Sequence, residues 1–399
     1  MFEKINLDNT YQLLLIILAF LMPLTVSGAN TIIVIICVLW LLSGDYKSKI
    51  NQIISSKLMI ASLVFYFLHV IGMIWTEDVN WGFHILHKMW YFLLLFPVLF
   101  TIVKKEYINL YISSFLLAIT VTEVASYLVW FEIIEPFKNA SVRNPTPFMS
   151  HISYNPILAF AIYLVIHEIF FNKKMTNLLF SFYSFFAITM SINMFITGGR
   201  AGQVGFFVML SIIIFQILDK QRVKSLILIL IVIPGIFISA YQASSLFQDR
   251  INMAVQEISN YSAQSESSIG LRINFATNSW QVIKKNPVIG IGTGDFPTEY
   301  NRINQINSPG LPNTTNPHNM YTLVLMQLGL LGLISMLSIF YYQIKLSFNS
   351  SNKLIQDAGF TLPLMFLVMM LSDSYLLGHY TTLMFVFFSS FLYKDFEKN

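Results

Sequence analysis

Uninterrupted apolar runs recur along nearly the whole of this 399-residue chain. A helix needs about 20 mostly apolar residues to cross a bilayer, because the hydrocarbon core is about 30 Å thick. Residues 226–238, for example, contain no charged side chain, unlike the alternating polarity of an outer-membrane barrel strand. Each run therefore predicts a helix, which satisfies its own backbone hydrogen bonds in lipid. Only 11% of the residues are charged, against roughly a quarter in soluble domains.

The runs predict an all-α polytopic membrane protein with about twelve transmembrane helices. The predicted crossings lie near residues 11–26, 31–43, 58–75, 84–103, 107–131, 153–171, 176–197, 202–218, 225–242, 318–344, 359–377 and 380–393. This divides the chain into three parts: residues 1–242 with helices 1–9, a loop over 243–317, and residues 318–399 with helices 10–12.

Basic residues in the short loops set the expected orientation. They concentrate on alternate sides of the predicted helices, for example at Lys104, Lys105, Lys173, Lys174, Lys220, Arg222 and Lys224. The positive-inside rule then predicts that both termini are cytoplasmic and that the 243–317 loop faces outward. The net charge of +4 is scattered rather than gathered into a patch, so no nucleic-acid partner is expected.

The long loop has the pattern of structured protein rather than of a linker. Apolar residues recur at helical spacing in two stretches, at Leu246, Ile251, Val255 and Ile258 and at Leu271, Phe275, Trp280 and Ile283. This predicts short amphipathic helices lying against the membrane surface. The glycine-rich stretch from Gly290 to Gly294 predicts a flexible turn.

The sharpest motif is Asn316-Pro-His-Asn-Met-Tyr321, where the loop re-enters the membrane. One interpretation is catalytic, because His318 is able to accept or donate a proton near neutral pH. The other is structural: Asn316 caps the helix, Pro317 is its first residue, and His318 is an interfacial polar side chain.

Arginines on the predicted outer side form a second set of candidates. Arg200 lies in the stretch Gly-Gly-Arg-Ala-Gly between helices seven and eight, and Arg272 lies in the long loop. A guanidinium offers a planar fork that suits phosphate oxygens, although a snorkelling side chain explains each position too. For Arg250 we favour a lipid-headgroup contact.

Polar residues inside the predicted crossings give weaker signals. His84, His87 and Lys88 share one face of a helix, and Lys88 is a candidate phosphate contact as well as a candidate snorkelling lysine. No further ligand completes a metal site beside the two histidines, so no metal is predicted. Asp373, placed within helix eleven, is expected to make structural hydrogen bonds.

These motifs occur together in a family-specific order. Arg272, Trp280, the stretch from Asn286 to Phe296, the stretch from Asn316 to Tyr321, and Gln327-Leu-Gly-Leu-Leu-Gly332 follow one another along the chain. The combination, with Arg200 before it, resembles the O-antigen ligase and polymerase superfamily over residues 185–345. The dozen-helix plan, GT-C-like in type, agrees with that resemblance.

The resemblance implies a metal-independent, inverting glycosyltransferase with no cofactor, on the periplasmic face of the bacterial inner membrane. Its donor would be a glycan on undecaprenyl pyrophosphate, and in ligases the acceptor is the lipid A-core. Arg200 and Arg272 would stabilise the pyrophosphate leaving group, and His318 would be the base. The expected substrate-binding residues are His84, Lys88, Asn316, Asn319 and Tyr321.

Three functions stay open. A ligase is favoured over a polymerase of the same superfamily because only one outward loop is large, whereas polymerases commonly have two. The third is a transporter or flippase of lipid-linked sugars, which should concentrate ionisable groups at the bilayer midplane. Here they concentrate in the loop.

Overall fold

Long apolar helices make up most of the structure, a computed structural model that describes residues 7–260 and 266–396. The termini, predicted to be cytoplasmic, end outside these residues. In chain order the helices are α1 (Leu7–Leu21), α2 (Val26–Leu42), α3 (Tyr46–Ser55), α4 (Lys57–Gly72), α5 (Val79–Lys88), α6 (Phe96–Ile102), α7 (Ile108–Trp130), α8 (His151–Phe171), α9 (Asn177–Ile196), α10 (Arg200–Ile217), α11 (Arg222–Ala243), α12 (Ser245–Ser259), α13 (Ser268–Ile283), α14 (Phe296–Asn307), α15 (Met320–Ser347), α16 (Lys353–Met369) and α17 (His379–Leu392).

The all-helical, multi-pass class predicted from the apolar runs is confirmed, but the count of twelve crossings is not. Among the described residues, seven helices are long and apolar enough to cross a membrane, or nine if each of two bent pairs is one span. α1 and α17 are apolar but shorter. The difference arises because hydropathy identifies apolar segments without showing where a helix bends or stops.

Several helices of the bundle begin close to one another, and this places the polar residues at their starts in one region. α8 packs against α9, α10, α16 and α17. Its close contact with α10 depends on Gly202, where an added Cβ would lie 2.4 Å from backbone and side-chain atoms of Asn155. The glycines beside Arg200 therefore allow two helices to approach closely.

The long loop contains three helices: α12 and α13, where its apolar spacing predicts them, and α14. Of these, α13 and α14 share a small core with α15. Phe275 from α13, Phe296 and Tyr300 from α14, and Leu323 and Met326 from α15 are all buried in it. Aromatic burial of this kind supplies most of the energy that holds an element in place. The loop helices are therefore docked on the bundle.

The stretch from Gly290 to Gly294 is packed, contrary to the flexible turn that its glycines predict. It enters a break in α15 at Gly329, where φ is +58°. The amide of Ile291 donates to the carbonyl of Met326 at 2.9 Å, and the amide of Gly292 donates to that of Gln327 at 3.0 Å. Here the glycines let this stretch approach the backbone of α15 closely, and they do not serve mobility.

Replacing Gly290 by alanine should destabilise the protein. Its φ is +71°, and the added Cβ would lie 2.4 Å from the carbonyl carbon of Gln327. The left-handed conformation alone costs a non-glycine residue about 1–2 kcal/mol, and the backbone contact adds to that cost. We expect a lower midpoint of thermal unfolding in detergent. Gly235→Ala is the control, since its Cβ would meet nothing within 4 Å; equal midpoints for the two variants would contradict the packing.

Candidate active site

The turn that carries Arg200 is fixed by buried polar contacts. Asn155, on α8, accepts a hydrogen bond from the Thr197 hydroxyl at 3.0 Å, and Asn144 accepts one from the Gly198 amide at 2.9 Å. Arg200 is then the first residue of α10. Its Nε is buried and has no hydrogen-bond partner among the described residues. A buried donor of this kind is costly unless something else satisfies it.

Three arginines share one cavity of about 410 Å³. Arg200 comes from α10, Arg250 from α12 and Arg272 from α13, and all three line it. Within residues 7–260 and 266–396, no carboxylate lies within ion-pair distance of any of them. Gathered like charges repel unless an anion joins them, so the cavity has the electrostatics of an anion site.

Arg250 has a different environment from the one that its sequence context predicts. We expected it to contact lipid headgroups, whereas the structure places it in the cavity with Arg200 and Arg272. Nothing in its local sequence signals this, because the shared cavity depends on how α12 packs against α9 and α13.

Asp373 lines this cavity and pairs with a histidine that does not itself line it. The Nδ1 of His318 lies 3.4 Å from Oδ1 of Asp373, and their side chains are 36% and 16% exposed. The His318 ring stacks on Phe275 with centroids 6.0 Å apart. Phe275 lies three residues after Arg272, so the face of α13 that carries Arg272 also carries the ring that stacks on His318.

Asp373 lies in the connection between α16 and α17 rather than in a helix. α16 ends at Met369, so the predicted helix over 359–377 is too long at this end. Asp373 accepts hydrogen bonds from Asn316 Nδ2 at 2.9 Å and from the Ser374 amide at 2.7 Å. Burial alone raises the pKa of the Asp373 carboxyl, but hydrogen bonds and the charge of His318 outweigh burial and lower it below its ordinary value.

Asn316 holds this connection to the His318 motif. Its Oδ1 accepts from the His318 amide at 3.0 Å and from the Ser374 hydroxyl at 2.9 Å. It does not cap α15: the cap is Asn319, whose side chain accepts from the Thr322 amide at 3.0 Å. The structural interpretation of Asn316 as the helix cap was therefore wrong by three residues.

His318 itself has a left-handed backbone, with φ at +51°. Histidine tolerates this region better than most residues, but an outlier still costs on the order of 1 kcal/mol or more. The bonds of Asn316 and the cap at Asn319 hold it there.

Asn316→Ala should make the protein more sensitive to acid. The variant loses a hydrogen bond that favours the Asp373 carboxylate, so the pKa of Asp373 rises toward its ordinary 3.8. A lowered carboxyl pKa stabilises the fold above the ordinary value, and that stability is lost as pH falls through the folded value. We expect the acid loss of thermal stability to begin at a higher pH in the variant. Identical curves between pH 3 and 6 would contradict the role of Asn316. Asn349→Ala, just beyond the far end of α15, is the control.

A second cavity, of about 210 Å³, adjoins the first. Lys88 and Asn316 line it, and Ile152, Asp373 and Tyr375 line both cavities. Lys88 is thus near the cavity with the three arginines, as its candidate role as a phosphate contact requires. Asp373 lies between a cavity with three arginines and one with a lysine.

The other predicted substrate contacts, His84, Asn319 and Tyr321, line neither cavity. The ring of His84 packs on Trp81 at 4.7 Å. Asn319 donates to the carbonyl of Leu371 at 3.1 Å, and the Tyr321 hydroxyl donates to that of Leu367 at 2.6 Å. Their substrate roles stay predictions. The Asn319 amide and the Tyr321 hydroxyl both donate to backbone carbonyls of the protein itself.

Known proteins resemble the region that builds this site. Residues 185–337 match a family model described as O-antigen ligase. An uncharacterized protein of Haemophilus influenzae is 26% identical over 312 residues, which are 74% of this chain and 73% of that protein. The matched region contains Arg200, Arg272 and His318, and Asp373 lies after it. The resemblance expected from the ordered motifs is confirmed: residues 185–337 of this multi-pass membrane protein match the O-antigen ligase family model.

Proposed function

We propose that this protein is an O-antigen ligase, which transfers a glycan from undecaprenyl pyrophosphate to the lipid A-core. The observation that carries the proposal is a cavity with three arginines, none of which has an ion-paired carboxylate among the described residues. Asp373 lines the same cavity and pairs with His318. A reaction that expels a pyrophosphate needs positive charge beside the leaving group, which the arginines supply. Deprotonation of a sugar hydroxyl needs a base, which His318 with Asp373 supplies. Family membership supports lipid-linked glycan substrates in general.

In this proposal the arginines bind the leaving group. The bond between the anomeric carbon and the pyrophosphate oxygen breaks, and its electron pair goes to that oxygen. Negative charge grows on the pyrophosphate as this happens, so Arg200, Arg250 and Arg272 stabilise the transition state more than the ground state. No separate cation is required for that role, and metal independence stays a prediction.

His318 serves as the base in the same step. The acceptor hydroxyl attacks the anomeric carbon from the face opposite the leaving group, which inverts the configuration, and its proton passes to the imidazole. Asp373 positions the ring and stabilises the imidazolium that forms, as a carboxylate does for a catalytic histidine. Lys88 and Asn316, in the second cavity, are proposed contacts of the acceptor.

The proposal places the protein in the bacterial inner membrane with both termini cytoplasmic. The α12–α14 segment, within 243–317, then faces the periplasm, as the distribution of basic loops favours. Cysteine accessibility tests this. In a Cys37→Ser background, Arg302→Cys on α14 should react with a membrane-impermeant thiol reagent in intact spheroplasts, whereas Lys220→Cys should react only after lysis. The reverse pattern contradicts the orientation.

Reconstitution tests the reaction. Purified protein in lipid nanodiscs, with a lipid-linked donor and rough lipopolysaccharide, should make capped lipopolysaccharide without ATP and in the presence of a chelator. A polymerase would instead elongate the lipid-linked glycan when a second lipid-linked repeat is the acceptor. A flippase would produce neither product.

A gel of lipopolysaccharide from a deletion strain separates the alternatives in cells. Loss of a ligase leaves unattached polymer on its carrier. Loss of a polymerase leaves lipid A-core with a single repeat. Unchanged lipopolysaccharide would contradict both assignments.

A further inference from the structure

A short turn after α13 presents two apolar side chains outward. Residues 284–289 are all exposed, and the last two of them, Val288 and Ile289, are 53% and 49% exposed. A single exposed apolar residue needs no explanation, but a contiguous apolar surface is usually covered by another molecule. The neighbours of this pair therefore decide whether it faces water or lipid.

The turn is hydrogen-bonded to α15 on a face that this helix shows to lipid. The Leu330 amide donates to the Pro287 carbonyl at 2.9 Å, and the Leu331 amide donates to the Val288 carbonyl at 3.2 Å. Leu330, Leu331 and Ile334 are 47%, 49% and 63% exposed. Because α15 is long and apolar enough to cross a membrane, the exposed side chains of the turn extend its lipid-facing surface.

The position of the turn along α15 places it within the membrane. About 20 residues of helix cross the hydrocarbon core, and counted back from Lys345, in the last turn of α15, they reach beyond Leu330. The two hydrogen bonds hold Val288 at the same depth as Leu331. They also pair the carbonyls of the turn, as backbone groups in lipid require.

Two lysines and a tryptophan precede the apolar pair. Lys284 and Lys285 come about one turn before it, and the Nζ of Lys284 lies 5.8 Å from the centroid of the Trp280 ring. Tryptophan is typical of the headgroup region, and lysine stems reach from the apolar layer to that region. No carboxylate of residues 7–260 or 266–396 lies within ion-pair distance of either lysine. Both ammonium groups are thus available to a lipid phosphate.

We propose that residues 280–289 bind an anionic glycerophospholipid of the surrounding leaflet. Val288 and Ile289 contact its acyl chains, and Lys284 and Lys285 bind its headgroup. Charge determines the class of lipid: the segment contains two cations and no acidic residue, so it favours a headgroup with a net negative charge over a zwitterionic one. The site binds lipid whatever reaction the arginine cavity performs.

Quenching of Trp280 fluorescence tests the lipid preference. Phosphatidylcholine nanodiscs receive a small fraction of phosphatidylglycerol or of phosphatidylcholine that is brominated near the headgroup end of the chain, and the signal of Trp280→Phe is subtracted. Each lysine favours an anionic surface about fivefold, so phosphatidylglycerol should be preferred about 25-fold. Lys284→Gln together with Lys285→Gln should reduce the preference to about one. Lys173→Gln together with Lys174→Gln, another adjacent and exposed pair, is the matched control and should retain it.

Thiol accessibility tests the depth of the turn. In a Cys37→Ser background in nanodiscs, Ile289→Cys should react with a membrane-impermeant thiol reagent at least tenfold more slowly than Arg302→Cys. Both positions are exposed, at 49% for Ile289 and 75% for the side chain of Arg302. Lipid excludes the reagent and disfavours the reactive thiolate, whereas water does neither.

Three results would overturn the proposal. Equal reaction rates at the two cysteines would place the turn in water. Equal quenching by the two brominated lipids, or an undiminished preference after both lysines are replaced, would show that the lysines do not select an anionic lipid. Displacement of phosphatidylglycerol by a tenfold smaller fraction of lipid A would assign the lysines to a glycolipid instead.

Discussion

Arg200→Ala and Arg272→Ala are each expected to lower the turnover of glycan transfer by about 10²–10³-fold, the usual cost of removing one donor that stabilises developing negative charge. Arg200 has a buried Nε without a partner, and both side chains line the cavity. Lysine keeps the charge but loses the planar fork, so Arg200→Lys should recover only part of the activity. The measurement is initial rate with saturating donor.

Arg302→Ala is the control for the arginine variants. Arg302 lies on α14, in the same loop, but its side chain is 75% exposed and its ion pair with Glu299 is long, at 3.7 Å. Exposed pairs contribute little, so this variant should keep its activity. Wild-type turnover in Arg200→Ala and Arg272→Ala would contradict the leaving-group role.

Asp373→Asn and His318→Ala are the second pair, each expected to lower turnover by about 10²–10⁴-fold, the range for loss of a general base or of the carboxylate that orients it. Asparagine preserves the shape of Asp373 but not its charge. The double variant should be about as slow as either single variant, because residues that act as one unit are not additive. Additive losses would show that the two side chains work separately.

Asp8→Asn controls for the loss of a carboxylate. Asp8 is 63% exposed and pairs with Lys104 at 2.7 Å, far from the cavity in the chain and on a different helix. Its variant should transfer glycan at the wild-type rate. A comparable loss in Asp8→Asn would indicate general destabilisation rather than a lost base.

The sequence was sufficient for the all-helical, multi-pass class and for part of the site. Apolar runs indicated that class, since lipid requires the pattern of each crossing regardless of the tertiary fold, but they did not give the number of spans. Arg200 stood out as a basic residue on the predicted outer side, and His318 as a titratable ring where the loop re-enters the membrane. Each signal is local and can be read without knowing which helices are neighbours.

What the sequence did not provide depends on three-dimensional contacts. Asp373 looked like a polar residue within a helix until the end of α16 at Met369 placed it in a connection. Arg250 has an ordinary amphipathic setting, and only its shared cavity with Arg200 distinguishes it. Gly290 suggested mobility because glycine serves both flexible turns and close packing, and composition does not separate the two uses.

The break in α15 has a consequence for how the reaction centre responds to its substrates. The half-helix from Met320 to Leu328 is held at its start by the Met320 amide, which donates to the carbonyl of Met370 at 2.9 Å, and near its end by the bonds from Ile291 and Gly292. A short helix that is bonded at both ends moves as one rigid unit, so a displacement at one end is passed to the other. Any shift of the glycine-rich stretch therefore reaches His318 through less than three turns of helix, so the α12–α14 segment and the proposed base are mechanically coupled.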